Sequence, residues 1–287
     1  MLFRSLSEAR ASRVVRFTVK RISPIVLWVS FWGLQLSGSQ AWRLPGIGAL
    51  LSLSTLLPAW GYARLAGLDR PQTGSLLTCA MFSNVGYLGA FLVFALYGEQ
   101  GYGLAVLYLL SFNPCFYLIG FTVAKRFGHR LDTAASSSWY SDELRFYPFV
   151  GLAIGLILNL AKVPRPAGLA LLNRFLIPID TILYLAAIGS QLRVEPLSAG
   201  SRGACLAVSA IKFWYTPLVG WLLLSIIPLD GVPRFVVLLE ASMPVAISPL
   251  MLSLLFGLDR RLSNALWLFT TLLAIPWLLV YLPLIHR

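Results

Sequence analysis

The chain has 287 residues, of which 58% are hydrophobic and 12% are charged, and its mean hydropathy is +0.77. This composition is typical of a helical protein that crosses the membrane many times, and it leaves too few polar residues for a soluble domain. In a soluble protein, the net charge of +12 would suggest nucleic-acid binding. Here the cations lie mainly in alternate loops, which indicates orientation in a lipid bilayer, so no nucleic-acid partner is expected.

Residues 1–21 form a basic segment with one acidic side chain, Glu8. We predict a cytoplasmic flank, and the alternatives are an organellar transit segment or an amphipathic surface helix. The first apolar run begins near Ile22, and no small-residue cleavage site stands out after it. The first span is therefore expected to stay in place.

The lengths of the apolar runs predict an all-α protein with nine transmembrane helices. In chain order the spans cover residues 22–36, 45–65, 72–97, 101–124, 146–161, 166–191, 203–227, 234–256 and 262–285. Residues 125–145 then form the longest polar loop.

The distribution of Lys and Arg predicts a cytoplasmic amino terminus and an external carboxyl terminus in the cell membrane. The sixteen cations on the internal side would be Arg4, Arg10, Arg13, Arg16, Lys20, Arg21, Arg64, Arg70, Lys125, Arg126, Arg130, Arg145, Arg193, Arg202, Arg260 and Arg261. The five on the external side would be Arg43, Lys162, Arg165, Arg234 and Arg287. This arrangement makes the loop at 125–145 cytoplasmic.

The third and eighth spans each contain a helix-breaking stretch near the middle. In the third span, Gly86 and Gly89 permit unwinding beside Asn84, whose side chain offers a donor and acceptors. In the eighth, Pro244 and Pro249 interrupt the run. Non-helical backbone at this depth survives only where protein or a water-filled cavity satisfies it.

The two interruptions predict a binding site. Because the third span runs outward and the eighth inward, both second halves would begin near the midplane, with their amino ends facing the same region. That arrangement favours an anion. The alternative is that the glycines only allow close packing and the prolines make simple kinks. Two interruptions at matching positions favour the site.

Three ionisable side chains lie well inside the spans: Asp180, Lys212 and Glu240. Such residues are rare in membrane helices and usually mark function. A carboxylate there can carry a proton or coordinate sodium, and a lysine can hold a substrate carboxylate. The alternative for Asp180 and Lys212 is a structural ion pair. For Glu240, its position a few residues before the break at Pro244 favours a functional role.

Short internal similarities predict an inverted repeat. Residues 22–25 resemble 176–179, and residues 76–81 resemble 238–243. The paired spans are five crossings apart, so the copies would have opposite orientations in the membrane. We therefore divide the chain into a basic segment at 1–21, a first, four-helix repeat at 22–124, the loop at 125–145 and a second, five-helix repeat at 146–287.

No pattern favours an enzyme or a metal site. Cys79, Cys115 and Cys205 lie in apolar spans without metal-ligand spacing. The histidines are His129, in a loop, and His286, at the terminus, so no Ser-His pair or metal cluster is available for hydrolysis within the bilayer. No cofactor is expected.

Six short segments, in order along the chain, resemble helices of the auxin efflux carrier family of permeases. They are Asn84-Val85-Gly86-Tyr87-Leu88-Gly89, Leu96-Tyr97-Gly98, Pro178-Ile179-Asp180-Thr181-Ile182, Ala210-Ile211-Lys212 through Pro217, Glu240-Ala241-Ser242-Met243-Pro244 and Gly257-Leu258-Asp259. The chain is similar to the bacterial malate and malonate permeases of that family. The wider superfamily includes bile acid carriers.

The resemblance implies a fold of ten helices in two inverted repeats, with the two broken helices crossing at the substrate site. It also implies an elevator-like movement against a scaffold that dimerises, so a homodimer is an expected assembly. Two departures stand out. The first span here matches the family's second helix, which leaves the family's first helix absent, and Ala90 stands where many members have proline.

These observations predict a secondary transporter that moves a small organic anion by alternating access, with proton or sodium as the coupling ion. The predicted substrate-binding residues are Asn84, Gly86, Tyr87, Gly89, Met243, Pro244, Val245, Ser248 and Lys212. Glu240 and Asp180 are the predicted ion-coupling residues. The alternative is a membrane sensor or assembly protein that keeps the carrier fold without transporting; an enzyme is a weaker one.

Overall fold

A computed structural model describes residues 13–36, 40–129, 142–189 and 199–286. Within these ranges the backbone is helical apart from short connections and one isolated antiparallel bridge. The helices group into two compact units made of non-consecutive segments. The described part of unit 1 comprises residues 13–36, 90–104 and 142–189, and that of unit 2 comprises residues 40–89, 105–129 and 199–286.

The main α-helices are numbered in chain order. They are α1 (Ser23–Trp32), α2 (Leu44–Ser54), α3 (Leu56–Leu65), α4 (Arg70–Met81), α5 (Ala90–Leu109), α6 (Phe121–Phe127), α7 (Asp142–Leu160), α8 (Ala167–Gly189), α9 (Ala199–Ala210), α10 (Thr216–Ile226), α11 (Gly231–Ala241), α12 (Ser248–Phe256) and α13 (Arg260–Ile285). Shorter helical segments are the π-helices Thr18–Ile22, Val85–Gly89, Cys115–Gly120 and Ile211–Tyr215, the 3₁₀ turn Ala41–Arg43 and the turn Phe112–Pro114.

Five of the described helical segments are long and apolar enough to cross a membrane. They are Ala41–Leu65, Val85–Phe127, Ala167–Ala187, Ser201–Ile226 and Arg260–Ile285. The prediction of an all-helical, multi-pass membrane protein is thereby confirmed. The count of nine spans and the division into consecutive repeats stay predictions.

The longest of these segments is interrupted at Gly98, inside α5, where φ is +63° and ψ is −155°. This backbone conformation is open to glycine and strained for other residues. The interruption falls in the gap predicted between the third and fourth spans, after Tyr97 and before Gly101. The chain therefore changes direction here through the backbone freedom of one glycine.

In unit 1, α1 and α7 pack with their backbones in close contact. Gly151 and Gly155 are four residues apart on one face of α7, and a Cβ at either would overlap a backbone carbonyl of α1, that of Pro24 or of Trp28. Small residues at this spacing let membrane helices approach closely enough for dispersion forces to hold them together. These glycines thus set the position of α1 in unit 1.

Unit 1 also contains a partly buried polar network, centred on Glu99. Its carboxylate oxygen Oε1 accepts hydrogen bonds from Arg165 Nη1 (2.7 Å) and Asn173 Nδ2 (2.6 Å). Asn173 Nδ2 also donates to Ser30 Oγ (2.7 Å), and Arg165 Nη1 to the carbonyl of Val29 (3.0 Å). The charge of Glu99 is therefore compensated by Arg165 within the unit.

Unit 2 has an aromatic core around Phe82, with Phe112 and Phe116 at ring-centroid distances of 5.1 and 5.3 Å.

Two helices of unit 2 begin at aspartate residues that cap them. Asp69 Oδ1 accepts from the backbone N–H of Gln72 (2.8 Å) at the start of α4, and Asp259 Oδ1 accepts from that of Leu262 (2.9 Å) at the start of α13. These caps satisfy N–H groups that a helix start leaves unpaired.

Candidate functional site

The helices are interrupted at both stretches that the sequence marked as breaks. After α4 ends at Met81, the backbone turns extended at Phe82, and helical structure resumes with the π-helix Val85–Gly89. After α11 ends at Ala241, regular helix resumes only with α12, which begins at Ser248. Both interruptions lie in unit 2.

The two interruptions cross and pair with each other. Ser83 and Val245 form the antiparallel bridge. On either side of it, the N–H of Asn84 donates to the carbonyl of Pro244 (2.8 Å), and the N–H of Ala246 donates to the carbonyl of Phe82 (2.9 Å). Each break thus satisfies backbone groups of the other, which is what non-helical backbone at membrane depth requires.

A third segment supports the crossing from α13. The N–H of Val245 points away from the bridge and donates to Thr270 Oγ1 (3.1 Å), and Thr270 itself is fully buried. Thr270 was missed by sequence reasoning. A hydroxyl in an apolar span usually bonds to its own helix, so its second role as a partner of a distant N–H had no sequence signal.

Asn84 holds the start of the helix that follows the first break. Its carbonyl accepts from the N–H of Gly89 (3.1 Å), and its side-chain Oδ1 accepts a long bond from the N–H of Leu88 (3.5 Å). Asn84, Gly86 and Tyr87 are half-buried, so they retain some exposure at the crossing. On the other break, Met243, Pro244 and Val245 are buried.

Glu240 lies against Gly89. A Cβ at position 89 would overlap the Glu240 carboxylate, so the side chain occupies space that only glycine leaves open. Glu240 is 1% exposed, and neither carboxylate oxygen has a hydrogen-bond partner among the described residues. A buried, unpartnered carboxylate is costly, and such groups usually mark a functional site.

A small cavity lies beside the crossing, within unit 2. Ser83, Val85 and Glu240 line it from the two breaks. The rest of its polar lining comes from hydroxyl groups on other helices of the unit, namely Ser52, Thr55, Tyr108, Ser111 and Thr216. Sequence reasoning did not identify these residues, although Ser52 and Thr55 lie three apart in an apolar span and share one helix face.

Three of these hydroxyls donate to backbone carbonyls that lie three or five residues earlier in the chain. Thr55 Oγ1 donates to Ser52 O (2.7 Å), Ser111 Oγ to Tyr108 O (3.3 Å) and Thr216 Oγ1 to Ile211 O (2.7 Å). A hydroxyl has one proton and two lone pairs, so these groups keep only acceptor capacity for anything else. With the Glu240 carboxylate, they line the cavity with hydrogen-bond acceptors.

Lys212 is fully buried and lies in the π-helix Ile211–Tyr215. Its ammonium donates to the carbonyl of Ala80 (2.6 Å) and to Ser83 Oγ (2.7 Å), at the end of α4. π-Helical turns inside membrane helices often occur at functional sites. Lys212 therefore bonds directly to the helix end and to Ser83 in the first interruption.

The predicted site residues do not all fall in one unit. Asp180 is in unit 1, where its Oδ1 accepts a hydrogen bond from Ser23 Oγ (2.7 Å), and it is 4% exposed. The other predicted residues are in unit 2. Asp180 and Lys212 each have a partner within their own unit, and the ion pair between them stays a prediction. Within the described ranges, no three His, Cys, Asp or Glu side chains group as metal ligands.

Comparison of the sequence with known proteins shows that the chain is similar to membrane transporters. Residues 133–282 match the profile of a family described as "Membrane transport protein". An uncharacterized transporter of Methanothermobacter thermautotrophicus is 26% identical over 280 residues, which is 97% of this chain and 89% of that protein. An uncharacterized transporter of Methanocaldococcus jannaschii is 29% identical over 210 residues, 71% of this chain and 66% of that protein.

Proposed function

Since the chain belongs to the auxin efflux carrier family of membrane transport proteins, we propose that it moves a small organic anion, such as a carboxylate, across the membrane by alternating access. The family is one of transporters, so the prediction that the chain is not an enzyme is confirmed. We propose the substrate, the coupling ion and the residues that bind each of them from the geometry of unit 2 and of Asp180.

The observation that carries the proposal is the crossing of the two helix interruptions. The π-helix Val85–Gly89 and helix α12 both begin there. Helix amino ends carry partial positive charge and unpaired N–H groups, so two of them at one crossing favour an anion. Ser248 Oγ, at the first position of α12, is buried and has no hydrogen-bond partner among the described residues. It is available to a substrate oxygen.

We assign substrate contact to the residues of the two interruptions. They are Asn84, Gly86, Tyr87, Gly89, Met243, Pro244, Val245 and Ser248. Their backbone groups and small polar side chains suit a carboxylate, which accepts several hydrogen bonds at once. Lys212 adds positive charge beside Ser83, on the same crossing.

The coupling ion would bind at Glu240. Glu240 lines the hydroxyl-rich cavity, and both of its oxygens lack a hydrogen-bond partner among the described residues. The cavity therefore offers acceptors, which a proton or sodium ion needs. Asp180 is the second proposed coupling residue, held by Ser23 in unit 1. An ion at Glu240 would also remove the cost of a bare carboxylate at this depth.

The proposed frame is nine spans in two inverted repeats, with the amino terminus cytoplasmic, the carboxyl terminus external and a homodimer as the assembly. The interruptions at matching positions of the third and eighth spans support the repeats.

The test is charge displacement by purified protein in liposomes on a solid support, with mono- and dicarboxylates offered under imposed proton and sodium gradients. Wild-type protein is expected to give a saturable, gradient-dependent signal. Glu240→Gln keeps the shape of the side chain and removes its charge, so gradient dependence should fall at least about fivefold, the lower end of typical coupling between sites.

Asp180→Asn is the matched comparison, since it makes the same change in unit 1. Normal gradient-driven uptake by Glu240→Gln would contradict the role of Glu240. Saturable ligand binding without flux in the wild-type protein would instead indicate a sensor, and flux without saturation would indicate a channel.

A further inference from the structure

The ammonium of Lys212 is held by neutral oxygens. Its side chain is 0% exposed, and its two acceptors are the carbonyl of Ala80 and the hydroxyl of Ser83, at 2.6 and 2.7 Å. Among the described residues, no carboxylate pairs with the Lys212 ammonium. A buried positive charge needs compensation, and here the oxygens of one helix end provide it.

Those oxygens belong to the end of α4. In an unbroken helix, the carbonyl of Ala80 would accept from the N–H of Asn84, four residues later. That N–H donates instead to the carbonyl of Pro244 (2.8 Å). Lys212 thus replaces the partner that Ala80 loses at the break, and its charge lies at the end of the helix where the dipole is negative.

This arrangement is the one that a bound monovalent cation would adopt, with a helix-end carbonyl and a hydroxyl as ligands. We infer that Lys212 is a tethered cation, which fills a cation site built from Ala80 and Ser83 and holds the crossing together without any ion from solution. Ser83 is also the residue that bridges to Val245. The inference concerns the stability of the crossing, and it does not depend on the transported substrate.

The test is chemical rescue. Lys212→Ala removes three methylene groups and the ammonium, the outline of n-propylammonium. Purified variant protein is expected to lose about 5 °C or more in melting temperature. Adding n-propylammonium at millimolar concentrations should restore most of this loss in a saturable way, while tetramethylammonium at equal ionic strength should not.

The wild type and Lys125→Ala, a change at an exposed lysine, should respond to neither amine. A folded Lys212→Ala protein whose melting temperature is unchanged, or is restored equally by both amines, would overturn the inference.

A second variant covers the case in which Lys212→Ala does not fold. Lys212→Met keeps the length of the side chain and removes the charge. Amide hydrogen exchange should then accelerate at least about tenfold in peptides covering residues 80–84 and 243–247, because the crossing opens more often. Exchange in α13 after Trp277 should stay as in the wild type. Wild-type exchange at both crossing segments would overturn the inference.

Discussion

The side chain of Glu240 fits in its position only because residue 89 is a glycine, which has no side chain. The carboxylate occupies the space in which residue 89 would carry its Cβ, although the two residues are far apart in the chain. The reason for a glycine at this position is therefore steric, since its φ of −62° and ψ of −55° are open to any residue. A substitution at this position tests the contact without altering any charge.

Gly89→Ala is expected to displace the Glu240 carboxylate and to lower the free energy of unfolding by about 1–3 kcal/mol, the usual cost of overpacking a buried site. Gradient-driven uptake should be lost with it. Thermal unfolding and the liposome assay measure the two effects.

Gly46→Ala is the control, because a Cβ there meets no heavy atom within 4 Å. It should be neutral or slightly stabilising, as alanine favours a helix more than glycine does. Equal behaviour of the two variants would mean that the carboxylate moves aside freely.

At the scale of single residues, the sequence predicted which charged side chains lie inside the spans, but it did not predict which residues they contact. Glu240 and Lys212 stood out because charges are rare inside spans. That Lys212 bonds to Ala80, and that Glu240 lies against Gly89, depends on which helices are neighbours. No periodicity in one span carries that information.

At the scale of elements, each interruption completes the backbone hydrogen bonding of the other. The glycine and proline patterns predicted that both spans are interrupted. The first break, however, falls at residues 82–84, and Gly86 and Gly89 lie in the π-helix that follows it. The pairing of Asn84 with Pro244 could not be predicted, since any exposed carbonyl would serve as an acceptor. The π-helices also had no sequence signal.

Pro244→Ala separates a binding site from a kink. Alanine keeps the carbonyl that accepts from Asn84, but it adds an N–H donor and frees the φ angle that proline fixes. Transport should fall at least about tenfold, while the free energy of unfolding changes by about 1 kcal/mol or less.

Pro276→Ala provides the control, because Pro276 is an exposed proline inside α13, and its removal should leave transport unchanged. If Pro244→Ala lowered stability as much as transport, the interruption would be a packing feature.

At the scale of the whole molecule, each of the two units combines separate segments from both halves of the chain. The sequence predicted the membrane class securely, because composition alone decides it. The predicted repeats group helices that follow one another along the chain. The two units instead group helices that contact each other in the structure. Hydropathy reports whether a span is apolar and leaves open which spans are adjacent.

Orientation is a prediction at this scale, with the amino terminus inside and the carboxyl terminus outside. A cysteine introduced at Ser137, in the polar loop predicted to be cytoplasmic, should react with a membrane-impermeant maleimide only after cells are opened. A cysteine at Lys162, on the predicted external side, should react in intact cells. The reverse pattern would invert the topology. Cys79, Cys115 and Cys205 are buried, so their background labelling should be low.

The antiparallel bridge also has a consequence for how the protein is made. Asn84 leaves the ribosome 160 residues before Pro244, the residue whose carbonyl completes its hydrogen bonding. At about 5–20 residues per second, that interval lasts about 8–30 s. In the predicted nine-span topology, the third span would hold an unpaired N–H and a freed carbonyl at mid-membrane depth during this time. We therefore expect it to stay next to the insertion machinery or to water. In that topology, synthesis of the eighth span would decide when the third can be released into lipid.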